Sequence, residues 1–229
     1  MSLSAEEWEV IYLSLKIALW CITISALPAL FIAWLLARCQ FKGKTLLSAI
    51  VHLPLVIPPV VTGYFLLVLL GRNGPIGRWL HEAFEISLIF SWHGAVIATA
   101  VMSFPLMVRA LRSGFETHDW RLNEVAATLG KGPVRRFLTI TAPLLIPSFI
   151  SAITLGFARA LGEFGATITF VSNIPGETRN LPIAIYGLLQ IPGGDDKVIR
   201  LVIISVLISF AAIALSEWLV RKRPTREGT

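Results

Sequence analysis

The clearest chemical pattern in the sequence lies between residues 114 and 134, where charged and small side chains share one short stretch. Asp119 can accept hydrogen bonds from the first free N–H groups of a helix, and its charge suits the positive end of the helix dipole. Apolar residues then recur at i, i+3, i+4 and i+7, namely Leu122, Val125, Ala126 and Leu129. Gly130, followed by Gly132 and Pro133, ends the pattern. The sequence therefore predicts a short amphipathic helix from Asp119 to Gly130.

Such a helix can serve three purposes that the pattern alone does not distinguish. It can pack on its own protein, lie in a membrane surface or dock into a groove of a partner. Ala126 and Gly130 are small and one turn apart, which allows the close approach of another backbone. Glu124 offers a carboxylate for a charge-assisted hydrogen bond to a basic partner residue. The alternative for Glu124 is a weak pair with Arg121 on the same helix.

A second pattern is a charged pair in an apolar stretch, Arg159 and Glu163, spaced at i, i+4. A charge at the bilayer centre costs about 2.5–3.5 kcal/mol, so such groups usually face a bundle interior or a cavity. The pair can belong to a gate or can be a structural pair facing the bundle. Nearby hydroxyls can line a polar path or can bond to carbonyls of their own helix. The candidate gate or pathway residues are Arg159, Glu163, Gly165, Thr167 and Thr169.

The other patterns that could do chemistry are incomplete. Gly43-Lys44-Thr45 resembles the end of a phosphate-binding loop, but position 38, where the loop needs glycine, is Arg38. The four histidines form no His-Glu-x-x-His motif, and the two cysteines, Cys21 and Cys39, form no Cys-x-x-Cys pair. We therefore predict no catalytic residue, no metal site and no cofactor on this chain, and we do not expect an enzyme.

The elements that must position these residues have the composition of membrane spans. Of the 229 residues, 55% are hydrophobic and 15% are charged, against about 25% charged in an average soluble domain. A bilayer core of about 30 Å needs about 20 apolar residues in a helix. Five stretches within a single domain, 1–229, meet this need: 11–36, 46–70, 88–108, 138–160 and 198–220. The sequence therefore predicts an all-α integral membrane helix bundle with five transmembrane helices.

Basic residues orient these spans and account for the net charge of +6. With the N-terminus outside, thirteen Arg and Lys residues lie in inside segments and five in outside segments. The first ten residues carry three glutamates and no basic residue, unlike a signal peptide, so we expect no cleavage. We therefore predict an N-terminus outside, a C-terminus in the cytoplasm, and no nucleic-acid partner.

The stretch 162–186 is apolar but is interrupted by Pro175, Gly176 and Pro182. We interpret it as the end of the fourth helix followed by an outside loop that dips back against the bundle. Such a backbone is tolerated at membrane depth only where protein or water covers it. The alternative is a sixth span, which would place the C-terminus outside, against the distribution of basic residues.

A family resemblance rests on Glu124-Val125-Ala126, on Gly130 six residues after the glutamate, and on Ile140 and Pro143. Together they resemble the signature of ABC importer permeases, which has Ala at the position of Val125 and Leu at the position of Ala142. The resemblance implies a type I permease fold in which 114–134 is a cytoplasmic coupling segment seated on an ATP-binding subunit. It implies the coupling residues Glu124, Val125, Ala126, Gly130, Ile140 and Pro143.

A finer resemblance involves 52–59 and 159–179. The stretch 159–167 resembles oxyanion permeases, and 168–179 and 52–59 resemble the molybdate permease branch. The resemblance implies a molybdate importer in the bacterial inner membrane that works as a homodimer. It also implies two ATP-binding subunits, which bind the ATP, and an extracytoplasmic oxyanion-binding protein. A tungstate or sulfate permease is the alternative, followed by a secondary transporter, which usually carries internal repeats that this sequence lacks.

Overall fold

The computed structural model describes residues 3–221, and this part of the chain is helical without a strand. The helices are α1 (Ala5–Arg38), α2 (Lys44–Val56), α3 (Pro59–Leu70), α4 (Pro75–Phe84), α5 (Trp92–Thr117), α6 (Arg121–Thr128), α7 (Pro133–Arg136), α8 (Ala142–Leu161), α9 (Gly165–Val171), α10 (Leu181–Leu189) and α11 (Asp195–Arg221). A π-helical turn, Phe137–Thr141, joins α7 to α8. The predicted all-α bundle is confirmed.

The first helix begins at a capping box formed by Ser4 and Glu7. The Ser4 N–H donates to Glu7 Oε2 over 2.7 Å, and the Glu7 N–H donates to Ser4 Oγ over 3.3 Å. This reciprocal pair satisfies two free donors at the helix start. The other carboxylate oxygen of Glu7 accepts from Arg200 Nε over 2.8 Å. The start of α1 is thereby tied to the start of α11.

The centre of the bundle is α5, whose most apolar 18 residues are 61% buried, against 11% for α11. Ala29 and Ala33 of α1 have no exposed surface and lie in one core cluster with Met107 and Leu111 of α5. Small residues at a helix interface let the two backbones approach closely. Helix α8 packs against the same helix, so α1, α5 and α8 form the core of the molecule.

The third predicted span, 88–108, differs from the helix in the structure. Helix α5 begins at Trp92, where the Ser91 hydroxyl accepts from the Gly94 N–H over 3.3 Å, and it continues to Thr117. The capping serine fixes the start, and the polar residues after 108 extend the helix beyond its apolar part. The first residues of the predicted coupling segment, 114–117, are therefore the last turn of α5.

The second predicted span, 46–70, is two helices rather than one, since α2 and α3 meet at an angle of 114°. The chain breaks at Ile57-Pro58-Pro59, where Ile57 and Pro58 are extended. A residue before proline is pushed out of the helical region, and proline itself supplies no N–H to continue the ladder. Two successive prolines apply both effects twice, which explains the sharp bend.

The bent pair nevertheless makes one crossing, because α1 and α5 are parallel. Arg38, at the end of α1, stacks on Trp120 just beyond the end of α5. Lys16, in the first half of α1, lies 3.6 Å from the centre of the Trp92 ring at the start of α5. The chain between the two helices must therefore return to the starting side, and α2 and α3 provide that return.

The stretch 162–186 contains two short helices, α9 and most of α10, instead of a loop. At seven and nine residues they extend about 10–14 Å, too short to cross a bilayer core of about 30 Å. Helix α9 packs against α3, and a Cβ added at Gly63 would lie 2.6 Å from the carbonyl oxygen of Ala166. Residues 162–186 therefore return to the side from which α1 starts without making a sixth crossing.

Candidate functional site

Helix α6 forms the core of the predicted coupling segment and is held by caps at both ends. The N-cap is Trp120 rather than the predicted Asp119, but Asp119 Oδ1 still accepts from the Arg121 N–H over 3.0 Å. At the other end, Gly130 has φ +78°, and the Lys131 N–H bonds to the carbonyl of Ala126 over 3.1 Å. This is the left-handed helix stop for which glycine is favoured.

The predicted apolar stripe of α6 divides into an inner and an outer face. Ala126 is 5% exposed and packs inward, whereas Leu122, Val125 and Leu129 are 47%, 59% and 74% exposed. Three neighbouring apolar side chains on an outward face lose nothing by docking and gain burial when another surface covers them. The apolar stripe as a whole therefore does not pack on the bundle of its own chain, which was one of the three possible uses of this helix.

The inner face of α6 is fixed by a buried polar residue, Asn123, which is 9% exposed. Its Oδ1 accepts from the Thr141 hydroxyl over 3.2 Å, and its Nδ2 lies 2.8 Å from His118 Nε2. The backbone carbonyl of Asn123 accepts from Arg136 Nη1 over 3.2 Å. One residue thus joins α6 to the end of α5, to α7 and to the π-helical turn before α8.

Trp120 anchors the start of α6 in the same way. Its Nε1 donates to the carbonyl of Phe115 over 3.2 Å, and the Arg38 guanidinium lies 3.8 Å from its ring centre. A cation over an indole face is attracted by the ring quadrupole. Helix α6 is therefore connected to α1, α5, α7 and the start of α8 at once, and it moves only if these elements move or these contacts break.

Between these anchors lies a cavity of about 330 Å³ lined by Arg38, Trp120, Glu124, Arg136 and neighbouring residues, among them the polar Asn123 and Thr141. Glu124 is exposed and forms no ion pair within residues 3–221, so the alternative pair with Arg121 is not observed. Arg136 Nε is buried without a hydrogen-bond partner in the described chain. The Glu124 carboxylate thus remains available beside the exposed apolar face, whereas Arg136 Nε is covered by the bundle.

The last two residues of the predicted coupling set lie where α8 begins. Ile140 is half-buried within the π-helical turn, and Pro143 is exposed at the second position of α8. The Ala142 N–H bonds to the carbonyl of Phe137, five residues back. A proline ring clashes with the carbonyl four residues before it, here that of Thr139, and widening the preceding turn relieves the clash. The signature proline therefore explains the π-helical turn.

The candidate gate residues surround the junction of α8 and α9. Glu163 is 1% exposed; its Oε1 accepts from the Ala166 N–H over 2.8 Å. Its Oε2 lies 2.6 Å from Arg159 Nη1, an ion pair rather than an aligned hydrogen bond. Arg159 and Glu163 thus form a pair that faces the bundle, as one of the two interpretations expects. Gly165 packs against α3, since an added Cβ would lie 2.7 Å from Pro59 Cβ.

The two candidate threonines of α9 bond to their own helix. The Thr167 hydroxyl donates to the carbonyl of Phe164 and the Thr169 hydroxyl to that of Gly165, each over 2.8 Å. Thr167 has no exposed surface, and Thr169 is partly exposed. Their hydroxyl hydrogens are thus engaged, while the oxygen lone pairs stay free to accept.

Sequence reasoning missed Asn123, His118 and Thr141, the polar residues that hold α6 to the bundle. Asn123 and Ala126 are three apart, so they share a helix face, but the apolar pattern favours a face without asparagine. His118 and Thr141 are separated by 23 positions in the chain and come together only through the packing of α5 against α8. The apolar pattern of α6 gives no signal for the burial of Asn123, because only packing shows which face of the helix is covered.

Comparison with protein families defines the class of protein. Residues 20–223 match the family described as "Binding-protein-dependent transport system inner membrane component". The match covers most of the chain, so this protein belongs to that family, and it is a transport component of the membrane rather than an enzyme. The predicted membership of the ABC importer permeases is thereby confirmed.

Two relatives and one solved structure are similar over nearly the whole chain. The molybdenum transport system permease protein ModB of Escherichia coli K12 is 54% identical over 228 residues, covering 100% of both chains. The ModB protein of Haemophilus influenzae is 49% identical, covering 97% of each. A bacterial ABC transporter that imports alginate has a chain with TM-score 0.76 and 16% identity, covering 96% of this chain and 80% of that one. This structure shows the shared fold alone.

Proposed function

We propose that this chain is the permease subunit of an ATP-driven ABC importer that carries molybdate across the bacterial cytoplasmic membrane. The observation that carries the proposal is the exposed apolar face of α6, formed by Leu122, Val125 and Leu129. An exposed apolar face on a firmly held helix fits a groove in a partner protein. The two molybdenum permeases, at 54% and 49% identity, support molybdate as the substrate.

The proposed assembly contains two copies of this chain, two ATP-binding subunits and an extracytoplasmic oxyanion-binding protein. This chain binds no cofactor, and ATP stays on the partner subunits. The most apolar 18 residues of the Pro133–Leu161 span are 17% buried and those of α11 are 11% buried. Such uncovered apolar helices require lipid or another membrane subunit around them, which supports a homodimer in the bilayer.

The proposed orientation places the N-terminus in the periplasm and the C-terminus in the cytoplasm. Helices α1 and α5 end on the side that carries α6, and α11 starts on the side where α1 starts. The basic residues concentrated around α6 and α7 favour the cytoplasm for that side. The ATP-binding subunits would then meet α6 directly.

In the proposed mechanism, closure of the ATP-binding subunits displaces α6, and its anchors transmit the displacement. Asn123 passes it to α8 through Thr141, and Trp120 passes it to α1 through Arg38. Each coupling residue then has a distinct part. Val125 contacts the partner, Glu124 pairs with a basic partner group, Ala126 permits close packing, Gly130 ends the helix, and Ile140 and Pro143 shape the turn that starts α8.

The outer end of the path is proposed to lie at the junction of α8, α9 and α3. The Arg159–Glu163 pair and Gly165 hold α9 to its neighbours. A movement of α8 would be passed to α9 through this pair, because Glu163 accepts from the first turn of α9. Thr167 and Thr169 would then change position relative to α3, which makes this junction the candidate gate.

Uptake of molybdate into vesicles that contain this chain, its ATPase and its binding protein tests the proposal. The double variant Leu122→Asp, Val125→Asp places two charges on the docking face, and we expect uptake to fall at least about tenfold, with loss of the co-purifying ATPase. The matched control is Ala127→Asp, an exposed position on the opposite side of α6. Full uptake by the double variant, or no molybdate uptake by the native complex, would overturn the proposal.

A further inference from the structure

A polar groove lies between α2 and α5, away from the candidate gate. It encloses about 410 Å³ and is lined by Ser48, His52, Arg109, Arg112, Ser113 and Glu116. The sequence analysis counted two of these, Arg109 and Arg112, only as basic residues of an inside segment. In the structure both belong to α5, so the groove lies along the helical bundle itself.

Arg109 lies on α5 at a distance from the end of the helix. It precedes the end of α5 by eight residues, which is about 12 Å along a helix axis. A guanidinium at such a depth is tolerated where it faces water or a partner charge. Arg109 is exposed and forms no ion pair within residues 3–221. Its charge is therefore left for something that enters the groove.

The other lining groups decide which sign of charge the groove accepts. Arg112 Nε pairs with Glu116 Oε1 over 2.7 Å, so these two charges balance each other. His52 Nδ1 lies 2.7 Å from the carbonyl oxygen of Ser48, which leaves His52 Nε2 as the ring nitrogen not engaged by the protein. Arg109 remains as the uncompensated charge. The groove therefore has a positive centre with additional hydroxyl donors, the set that a tetrahedral oxyanion needs.

Resting on the proposed function, we infer that this groove is an oxyanion site that holds the imported dianion on the cytoplasmic side before release. The groove lies on the half of α5 that ends at α6, where the ion would leave the bundle. Its affinity is low, because an ion on a transport path must also depart. Arg109 supplies the charge, the two serines supply hydroxyl donors, and His52 and the paired Arg112 and Glu116 shape the walls.

Equilibrium binding of radiolabelled molybdate tests the inference without the periplasmic binding protein. The permease with its ATPase is placed in nanodiscs of phosphatidylcholine, and native protein is compared with Arg109→Gln, Arg109→Lys and Arg135→Gln. Loss of a charge-assisted contact weakens binding by at least about tenfold, so we expect this in Arg109→Gln and partial recovery in Arg109→Lys. Arg135→Gln removes the same charge from an exposed position outside the groove and should bind as the native protein does.

Equal binding by Arg109→Gln and Arg135→Gln overturns the inference, as does the absence of saturable binding to native protein. A lipid phosphate has the same tetrahedral oxyanion chemistry as the transported ion. If anionic phosphatidylglycerol in the nanodisc abolishes molybdate binding, the groove is a lipid site and the inference fails. Uptake by the native complex is measured in parallel. Failure of molybdate uptake overturns the proposed function itself, whereas normal uptake with no Arg109 effect overturns only the groove.

Discussion

At the scale of single residues, the side-chain amide of Asn123 is the most constrained group near α6. Its oxygen accepts from Thr141 and its nitrogen donates to the unprotonated Nε2 of His118. An apolar replacement leaves both partners buried without hydrogen bonds. A buried group left unpaired costs about 1–3 kcal/mol. The role of Asn123 is therefore to hold α6 in one orientation, and its loss should loosen coupling before it prevents folding.

We expect Asn123→Ala to lower the melting temperature of the complex and to reduce the number of ions transported per ATP hydrolysed. The measurement is uptake and phosphate release in the same vesicles. The control is Thr128→Ala, which removes only an exposed hydroxyl bonded to its own helix and should change stability by less than about 0.5 kcal/mol. An unchanged transport ratio in Asn123→Ala would show that displacement reaches α8 by another route.

His118 makes its hydrogen bond with Asn123 sensitive to pH. Burial lowers the pKa of His118 from its usual value of 6.5, Arg38 lowers it further, and Asp119 opposes them. Because the folded pKa is below the unfolded one, the stability contributed by neutral His118 is complete above about pH 6.5 and is lost as pH falls below it. Protonation also places an N–H against the amide nitrogen of Asn123.

We therefore expect the transport ratio and the melting temperature of the native complex to fall as cytoplasmic pH drops below about 6.5. His118→Gln provides an acceptor that does not titrate, so its profile should be flatter over the same range. The comparison is made by pH-dependent uptake in vesicles with a fixed external pH. Parallel profiles for the two proteins would assign the pH dependence to other groups.

At the scale of helices, a comparison of Gly130 with Gly132 measures the cost of a left-handed backbone apart from the cost of a steric clash. Gly130 has φ +78°, whereas Gly132 has φ −65°, and neither has atoms within 4 Å of an added Cβ. We expect Gly130→Ala to destabilise the α6 stop by about 1–2 kcal/mol, the cost of a left-handed residue with a Cβ. Gly132→Ala should be neutral. Thermal unfolding of the two variants measures the difference, and equal melting temperatures would contradict it.

The contact of α3 with α9 depends on Gly63. An added Cβ would meet the Ala166 carbonyl oxygen at 2.6 Å, so Gly63→Ala should force the helices apart and cost about 1–3 kcal/mol. Gly162→Ala is the control, because its Cβ would meet the Ala158 carbonyl oxygen at an ordinary 3.7 Å. The melting temperatures should rank Gly63→Ala below Gly162→Ala, and the opposite order would show that α9 moves away without cost.

At the scale of the whole molecule, the parallel course of α1 and α5 makes orientation testable with the two native cysteines. Cys21 is buried, and Cys39 follows α1 on the side of α6. We expect a membrane-impermeant thiol reagent to label Cys39 in inside-out vesicles but not in right-side-out vesicles. In a Cys39→Ser background, Arg78→Cys on α4 should show the reverse pattern. Labelling of Cys39 from outside would invert the proposed orientation.

The sequence by itself determined the membrane class, the all-α fold, the short amphipathic helix α6 and the family. These follow from local properties: the length of apolar runs, the apolar periodicity of one short stretch, and a motif that stays within 20 residues. The signal for the break between α2 and α3, Ile57-Pro58-Pro59, is also present in the sequence. It was not recognised, because the apolar run around it is long enough to cross a bilayer as one helix.

Only the tertiary structure decided which face of α6 is exposed, and which distant residues hold the other face. The packing of α5 beside α8 brings together His118, Asn123 and Thr141. The apolar periodicity of a helix predicts that its two faces differ, but it does not predict which element lies against each face. The groove around Arg109 appears for the same reason, since α2 and α5 are joined by a long connection. Local patterns specify helices, whereas contacts between helices depend on packing across the whole bundle.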